Sequence, residues 1–368
     1  MAQQRFRETG AASFWGDFIY DEVLPENHFF RQLNELVDWE GISRKLSLYY
    51  QGGASYGPTP YEPAMLLKML LVSYLYNLSE RQAEEVANDS LAVKYFLGLA
   101  VNEKAPDHSS LSVFKQRLLQ GGGAKAYEGL FQDIVRLARE KGIEFGRLQV
   151  VDSTHSVADV DVREDDERRG EGQGPRDADA RWGVKGKAGK GSKKKARYFY
   201  GYKQHVSLNA ESGLITAVVH TPGNAPDGKY LGKLVERDEE VGVEAEVYAG
   251  DKAYDDGENH LFLRGKGKKS ALCLSRYRTG KKDRNKGIWY ELKADPEYQK
   301  GQEERYRVER KFGEAKCWHG LGRCRYVGLA KFAIQGYLTA MMLNLKRMVK
   351  LLFGVSFRNQ AYSPGKAG

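Results

Sequence analysis

Apolar residues recur at helical spacing through most of the first 140 positions. In "NHFFRQLNELVDW" they fall at Phe29, Phe30, Leu33, Leu36 and Val37, which is one face of a helix. "AMLLKMLLVSYLYNL" is nearly continuous and predicts a largely buried helix. "SERQAEEVANDSLAVKYFLGL" opens on Ser79 with Gln82 three residues later, a capping-box signature, and Glu84 and Glu85 follow where the helix dipole favours acids. "DHSSLSVFKQRLL" starts on cap-type residues and runs on as a helix carrying Lys115 and Arg117. These two cations are candidate DNA contacts, although the same helices also suit a plain bundle. "GGASYGPTPYEP" reads as a loop, and one further helix follows the "GGG" at 121–123.

Past residue 145 the period shortens. "GRLQVVDSTHSVADV" reads as a strand, and "YFYGYKQHVSLNAESGLITAVVHTPG" as a hairpin turning near Glu211–Gly213. "YLGKLVERDEE" predicts a helix, "VYAG" and "KSALCLS" short strands, and 296–353 a return to helix. The expected architecture is an all-helical domain over 1–140 and a mixed-sheet α/β or α+β domain over 145–353, with a disordered tail over 354–368. Residues 161–197 include "GVKGKAGKGSKKKAR", which offers almost nothing to bury, so a mobile basic insertion is expected there. Its Lys193, Lys194 and Lys195 are candidate phosphate contacts, or part of a passive insertion.

Composition narrows the partner only slightly. Lys and Arg number 58 against 49 Asp and Glu, a net +9, which suits a phosphate-bearing partner and also simple solubility. Cys273, Cys317 and Cys324 form no CxxC and no even framework, as expected of reduced thiols in the cytoplasm. Cys317, His319 and Cys324 match no usual zinc spacing. "MAQQRFRETG" lacks the apolar core of a secretory signal. Lys68 interrupts one long apolar stretch, and Asn344, Lys346, Arg347 and Lys350 interrupt the other, so neither reads as a membrane span.

Three acids stand at informative places. Asp152 follows "LQVV" within a strand, and a buried carboxylate there needs a partner, a shifted pKa or a metal. Asp251 follows "VYAG" at a strand's carboxyl end, where ligands collect in α/β sheets and where Asp is also common in turns. Glu309 lies in "RYRVERKFGEAK", which admits two readings: a solvated ion-paired face, or a metal ligand on a helix that grips a polyanion. At 100° per residue, Arg305 lies about 40° and Lys316 about 20° from Glu309, whereas Glu314 lies about 140° away. Three such acids could hold two divalent cations for in-line phosphoryl displacement. Lys203 is a further candidate DNA contact, His205 reads as a core histidine, and His155 is expected to face away from Asp152.

Taken together, the motifs resemble bacterial insertion-sequence DDE transposases of the fourth/fifth insertion-sequence group. Arg305, Glu309 and Lys316 fall in register on the late motif Y-(2)-R-(3)-E-(6)-K, with Gln302 at the tyrosine position. "VVDSTHSVA" resembles the strand of the first Asp, "AGDKAYDD" the second Asp motif, and "GYKQHV" with "VVHTPGNAPD" the strand pair between them. "RCRYVGLAK" resembles the segment after the Glu helix, and "YEPAMLLKMLL", "LSERQAEE", "KYFLGL" and "PDHSSLSVFKQRL" the preceding helical domain. The resemblance implies a ribonuclease H-like catalytic domain in which Asp152, Asp251 and Glu309 bind two Mg²⁺ ions, or Mn²⁺. It implies cleavage at the element's terminal inverted repeats and joining of the 3′-hydroxyl to target DNA, with Arg305 and Lys316 on phosphate. It further implies a homodimer or larger assembly on DNA, in the bacterial cytoplasm with the nucleoid. A nuclease without strand transfer and a domesticated DNA-binding protein are the alternatives.

Overall fold

The computed structural model describes residues 6–10, 14–50, 59–185, 196–275 and 291–358. The chain divides into two compact units, residues 1–131 with 344–368, and residues 132–343. The division falls inside the helix Ala124–Glu140, whose end coincides with the expected boundary near 140. The end of the chain also does not form a separate tail throughout, because Phe357 packs on Phe29 and Tyr76, with ring centroids 4.9 and 5.5 Å apart.

The first unit is helical, as its spacing predicts. Its helices are α1 (Phe14–Val23), α2 (Phe29–Leu36), α3 (Trp39–Ser47), α4 (Pro63–Leu75), α5 (Glu80–Asp89), α6 (Leu91–Leu97), α7 (His108–Gly122) and the start of α8 (Ala124–Glu140). Every residue of α4 is buried, and α3, α5, α6 and α7 pack around it. Even Lys68 is enclosed, its ammonium over the rings of Trp39 and Phe96, and burial lowers its pKa to about 8. The capping box at Ser79 and Gln82 is formed in both directions. Ser90 then ends α5 and caps α6, splitting the stretch that reads as one run into two helices.

The second unit is built on one six-stranded sheet. Its strands are β1 (Leu148–Val157), β2 (Arg181–Lys185), β3 (Arg197–Asn209), β4 (Ile215–Pro222), β5 (Val247–Gly250) and β6 (Lys269–Leu272). Leaving β2 aside, the order is β4-β3-β1-β5-β6, with the first three antiparallel and the last two parallel to β1. This is the ribonuclease H-like arrangement that the resemblance implies. The helices are the rest of α8, α9 (Val162–Gly170), α10 (Leu231–Glu240), α11 (Gly257–Gly265), α12 (Pro296–Glu304), α13 (Tyr306–Trp318) and most of α14 (Leu329–Phe353). α12 lies close on the sheet because residue 301 is glycine. A Cβ there would stand 2.6 Å from Cβ of Ala271 and 3.1 Å from Cβ of Ala249.

Two expectations change. The segment 161–197 is not one mobile loop, since Asp161 caps α9 and β2 pairs with the start of β3. Lys193, Lys194 and Lys195 lie outside the described residues. The late helical region is three helices, broken at Arg305 and again over 319–328.

Among the described residues, no helix is long and apolar enough to cross a membrane. Beneath the sheet, Asp238 of α10 is fully buried and accepts from Ser207 Oγ at 2.7 Å and Tyr248 OH at 3.1 Å. Burial pushes its carboxyl up to about 7, against the pull of these hydrogen bonds. The folded state thus keeps a proton that the unfolded chain releases near pH ~4, so this group's contribution to stability is full below that pH and is lost as pH rises to about 7. Asp238→Asn is expected to flatten this part of the pH dependence and to raise the melting temperature at pH 8. A difference from wild type that stays constant from pH 4 to 8 would contradict the assignment.

Candidate active site

β1 and β5 run parallel, and their last paired residues are Val151 and Gly250. Asp152 and Asp251 each come one residue later, so the acids emerge side by side on strands spaced about 4.8 Å apart. Local geometry fixes both carboxylates. The Ser153 amide donates to Asp152 Oδ1 at 2.7 Å, and the Ala253 amide to Asp251 Oδ1 at 2.8 Å. Burial pushes the Asp152 carboxyl up to about 7; Asp251 and Asp227 add to the rise, while the Ser153 amide and Arg305 oppose it. Burial also raises Asp251, opposed by the Ala253 amide, Arg305 and Lys203 and reinforced by Asp227. The two acids thus share the fields of one cation, Arg305, and one further acid, Asp227.

Asp227 is the residue that sequence reasoning missed. It opens a 3-10 turn, Asp227–Tyr230, and accepts from Lys203 Nζ at 2.8 Å. The signal was its place at the end of "VVHTPGNAPD", directly after a strand that pairs with β3. Tyr254 is fully buried in the field of Asp152, Asp227 and Asp251, and its hydroxyl has no hydrogen-bond partner among the described residues. Burial, then these three acids, drive its pKa well up.

Glu309 stands one turn into α13, which packs on β1 through a buried side that includes Val308, Phe312 and Ala315. The ion pairs of the charged run are Arg307 with Glu304 and Lys311 with Glu314. Glu309 is exposed and takes part in neither. Among the described residues it has no ion-pair partner, which weighs against a simple salt-bridged face. Arg305 is not part of α13 but the junction before it, so the helical stripe relates Glu309 to Lys316, and Arg305 reaches the acids from the break. Lys316, in the last turn of α13, is half-buried; burial, then Lys185, lowers its pKa to about 8.

Three acids carried on separate elements offer only oxygen ligands, the donor set that hard divalent cations prefer. Among the described residues, the trio whose possible ligand atoms all lie within 4.8 Å of one another is not this one but Glu84, Asp107 and His108. That trio is accounted for by capping: Asp107 caps α7, and His108 donates its amide and turns its ring to Glu84. Ligands spread over two ions ~3.5–4 Å apart need not converge on one point. The strand-end aspartates, their raised pKa values and the unpaired Glu309 therefore fit a divalent-metal site.

The other candidate cations are partnered inside their own units. Lys115 is buried and paired with Glu80, whose second oxygen accepts from Ser112, so it ties α7 to α5. Arg117 lies over the Tyr50 ring, 4.1 Å from its centroid. Lys203 holds Asp227 and the Ala225 carbonyl, which makes it a support for the acid cluster. His205 is fully buried against Thr221 and stacks on Tyr230, and His155 packs at a tilt on Phe199.

The chain is similar to two protein-family models, a transposase domain (DUF772) over residues 18–117 and a transposase DDE domain over residues 144–345. It is also similar to the piggyBac transposase in its synaptic complex with hairpin DNA, at 10% identity and a TM-score of 0.41, covering 95% of this chain and 78% of that one. The Mos1 transposase in its paired-end complex with the left transposon end gives 10% identity and a TM-score of 0.22, over 84% and 83%. These superpositions are too loose to bear on the chemistry. The DDE match alone spans more than half of the chain and encloses the strand pair of Asp152 and Asp251 together with the helix of Glu309, so the protein belongs to the DDE-domain transposases, metal-dependent enzymes that cut DNA and transfer its strands.

Proposed function

We propose that Asp152, Asp251 and Glu309 are the catalytic acids, that they hold two Mg²⁺ ions (with Mn²⁺ as a substitute), and that the enzyme acts at the terminal inverted repeats of its own insertion sequence. The observation that carries this reading is the pair of strand-end aspartates abreast in the field of Arg305, with an unpaired glutamate on the helix beside them. When bound, the divalent ions would supply the charge that stabilises the attacking and leaving oxygens of an in-line displacement. The residues of the chain do the rest. Asp152 and Asp251 are held by backbone amides in fixed orientations, so little reorganisation is needed when they are loaded. Lys203 holds Asp227, whose charge both acids feel, and Arg305 and Lys316 would take DNA phosphate.

Water attacks the phosphorus at the element's end and the 3′-oxygen leaves, taking a proton to become a hydroxyl. That hydroxyl then attacks a phosphodiester of target DNA, forming a new phosphodiester while the target's own 3′-oxygen leaves and takes up the proton that the attacking hydroxyl gives up. The motif register supports placement in the fourth/fifth insertion-sequence group. Holding two ends at once implies at least a dimer on DNA, in the bacterial cytoplasm with the nucleoid. The test uses purified protein and a plasmid carrying the gene's own flanking sequences, with Mg²⁺ or EDTA. Nicking at the element ends and joining to a second plasmid, both stopped by EDTA, are the expected result. Nicking without joining would point to the nuclease reading, and binding without either to a domesticated protein.

A further inference from the structure

The first residues of β3 leave the main sheet. Pairing with β1 begins at Gly201 and with β4 at Tyr202, whereas Arg197 to Tyr200 pair with β2. The result is a two-stranded ribbon whose faces differ chemically. Trp182 stands opposite Tyr200 and Val184 opposite Tyr198, so these four share one face. On it Trp182, Val184 and Tyr198 are 47, 45 and 67% exposed. The other face carries Arg181, Lys185 and Arg197, all exposed, with Phe199 packed at a tilt on His155. Neither strand of the ribbon carries an acid within 181–185 or 197–200. Phe199 of the ribbon lies against His155, ring centroids 4.5 Å apart, and His155 stands on β1 three residues beyond Asp152, so the ribbon adjoins the strand that carries the first acid; the charge of Lys185 is felt by both His155 and Lys316.

We propose that the β2–β3 ribbon is a wedge that enters DNA next to the cleavage site, its aromatic face stacking on unpaired bases of one strand and its cationic face holding the phosphates of the other. The proposal rests on the DNA-cleaving function given above. Bases within a duplex cannot stack on a protein ring without leaving their partners, so an exposed Trp–Tyr face suits separated strands. The cations on the opposite face supply the sequence-independent attraction that a backbone needs. A ribbon that only gripped duplex phosphates would gain nothing from exposing Trp182 and Tyr198.

The test compares the full-length wild type with Trp182→Ala/Tyr198→Ala and Lys185→Ala/Arg197→Ala. Two probes of equal length are used, a fully paired duplex and one with a forked, unpaired end; binding is read by anisotropy in EDTA and cleavage in Mg²⁺. Wild type is expected to prefer the forked probe by roughly tenfold or more, the scale of one or two stacked bases. The aromatic double variant should lose that preference and keep its affinity for paired duplex. The cationic double variant should weaken both probes alike and reduce the salt slope by about 1–2. All the substituted side chains are on the surface, so unchanged melting temperatures are expected. A wild type that cuts DNA but binds both probes equally overturns the wedge alone, as does an aromatic variant that keeps the preference. A wild type that neither binds nor cuts either the probes or its own ends overturns the wedge and the functional reading together.

Discussion

Asp152→Asn is expected to lower end cleavage and joining by roughly 10²–10³-fold, the scale on which removing a group that stabilises transition-state charge acts, while leaving DNA binding nearly intact. Its effect on stability should have the opposite sign. The Asp152 carboxyl is pushed up to about 7, chiefly by burial, so without a cation its ionised form is disfavoured in the folded protein. By linkage, its contribution to stability is full below pH ~4 and is lost as pH rises to about 7. Asparagine removes that loss, for a gain of roughly 1–2 kcal/mol at pH 8 in EDTA, discounted for the solvent contact that the side chain keeps. Mg²⁺ should raise the melting temperature of wild type by mass action and that of Asp152→Asn much less. Glu309→Gln should also abolish cleavage, with little change in melting temperature in EDTA, because Glu309 is exposed and unpaired. A Glu309→Gln enzyme as active as wild type would return Glu309 to the solvated face of the helix and remove it from the acid set.

The second large effect concerns Asp177, away from the chemistry. Its buried carboxylate accepts the Tyr202 hydroxyl at 2.5 and 2.6 Å, the amides of Asp179 and Ala180 at 3.1 Å each, and the Gly328 amide at 3.3 Å. One side chain thus fastens the segment before β2 to β3 and to the turn before α14. Asp177→Ala leaves the fully buried Tyr202 hydroxyl without this acceptor and strands three amides, a loss expected at ~3–5 kcal/mol. Asp177→Asn keeps one acceptor oxygen and should cost about half as much. In a double-mutant cycle with Tyr202→Phe, the combined loss should fall short of the sum by ~1 kcal/mol or more, because both changes remove the same contact. Additivity within ~0.3 kcal/mol, or an Asp177→Ala protein as stable as wild type, would show that this contact does not hold the segment.

Periodicity along the chain was sufficient for the helical first unit, the capping box at Ser79, the strand–hairpin–helix–strand order and the three acids on three separate elements. These depend on near neighbours in sequence, and a residue's spacing and cap chemistry act over a few positions. The same locality hides the partners of the candidate cations. Lys115, Arg117 and Lys203 look alike as cations near motif residues, yet Glu80, Tyr50 and Asp227 are their partners, and each partner lies far away in the chain. The basic composition of 161–197 likewise hid α9, which its cap Asp161 helps to start, and β2, which exists because β3 has an unpaired stretch to offer. The sequence by itself thus determined which elements form, their order, and that Asp152, Asp251 and Glu309 were the acids to consider. Only the tertiary structure decided that β1 and β5 pair in parallel so that two acids stand abreast, that Asp227 joins them, that α12 and α13 break at Arg305, and that the β2–β3 ribbon shows an aromatic face and a cationic one. The physical reason is that burial and electrostatic fields come from whatever packs nearby in space, and register between strands about a hundred residues apart is set by that packing and not by local spacing.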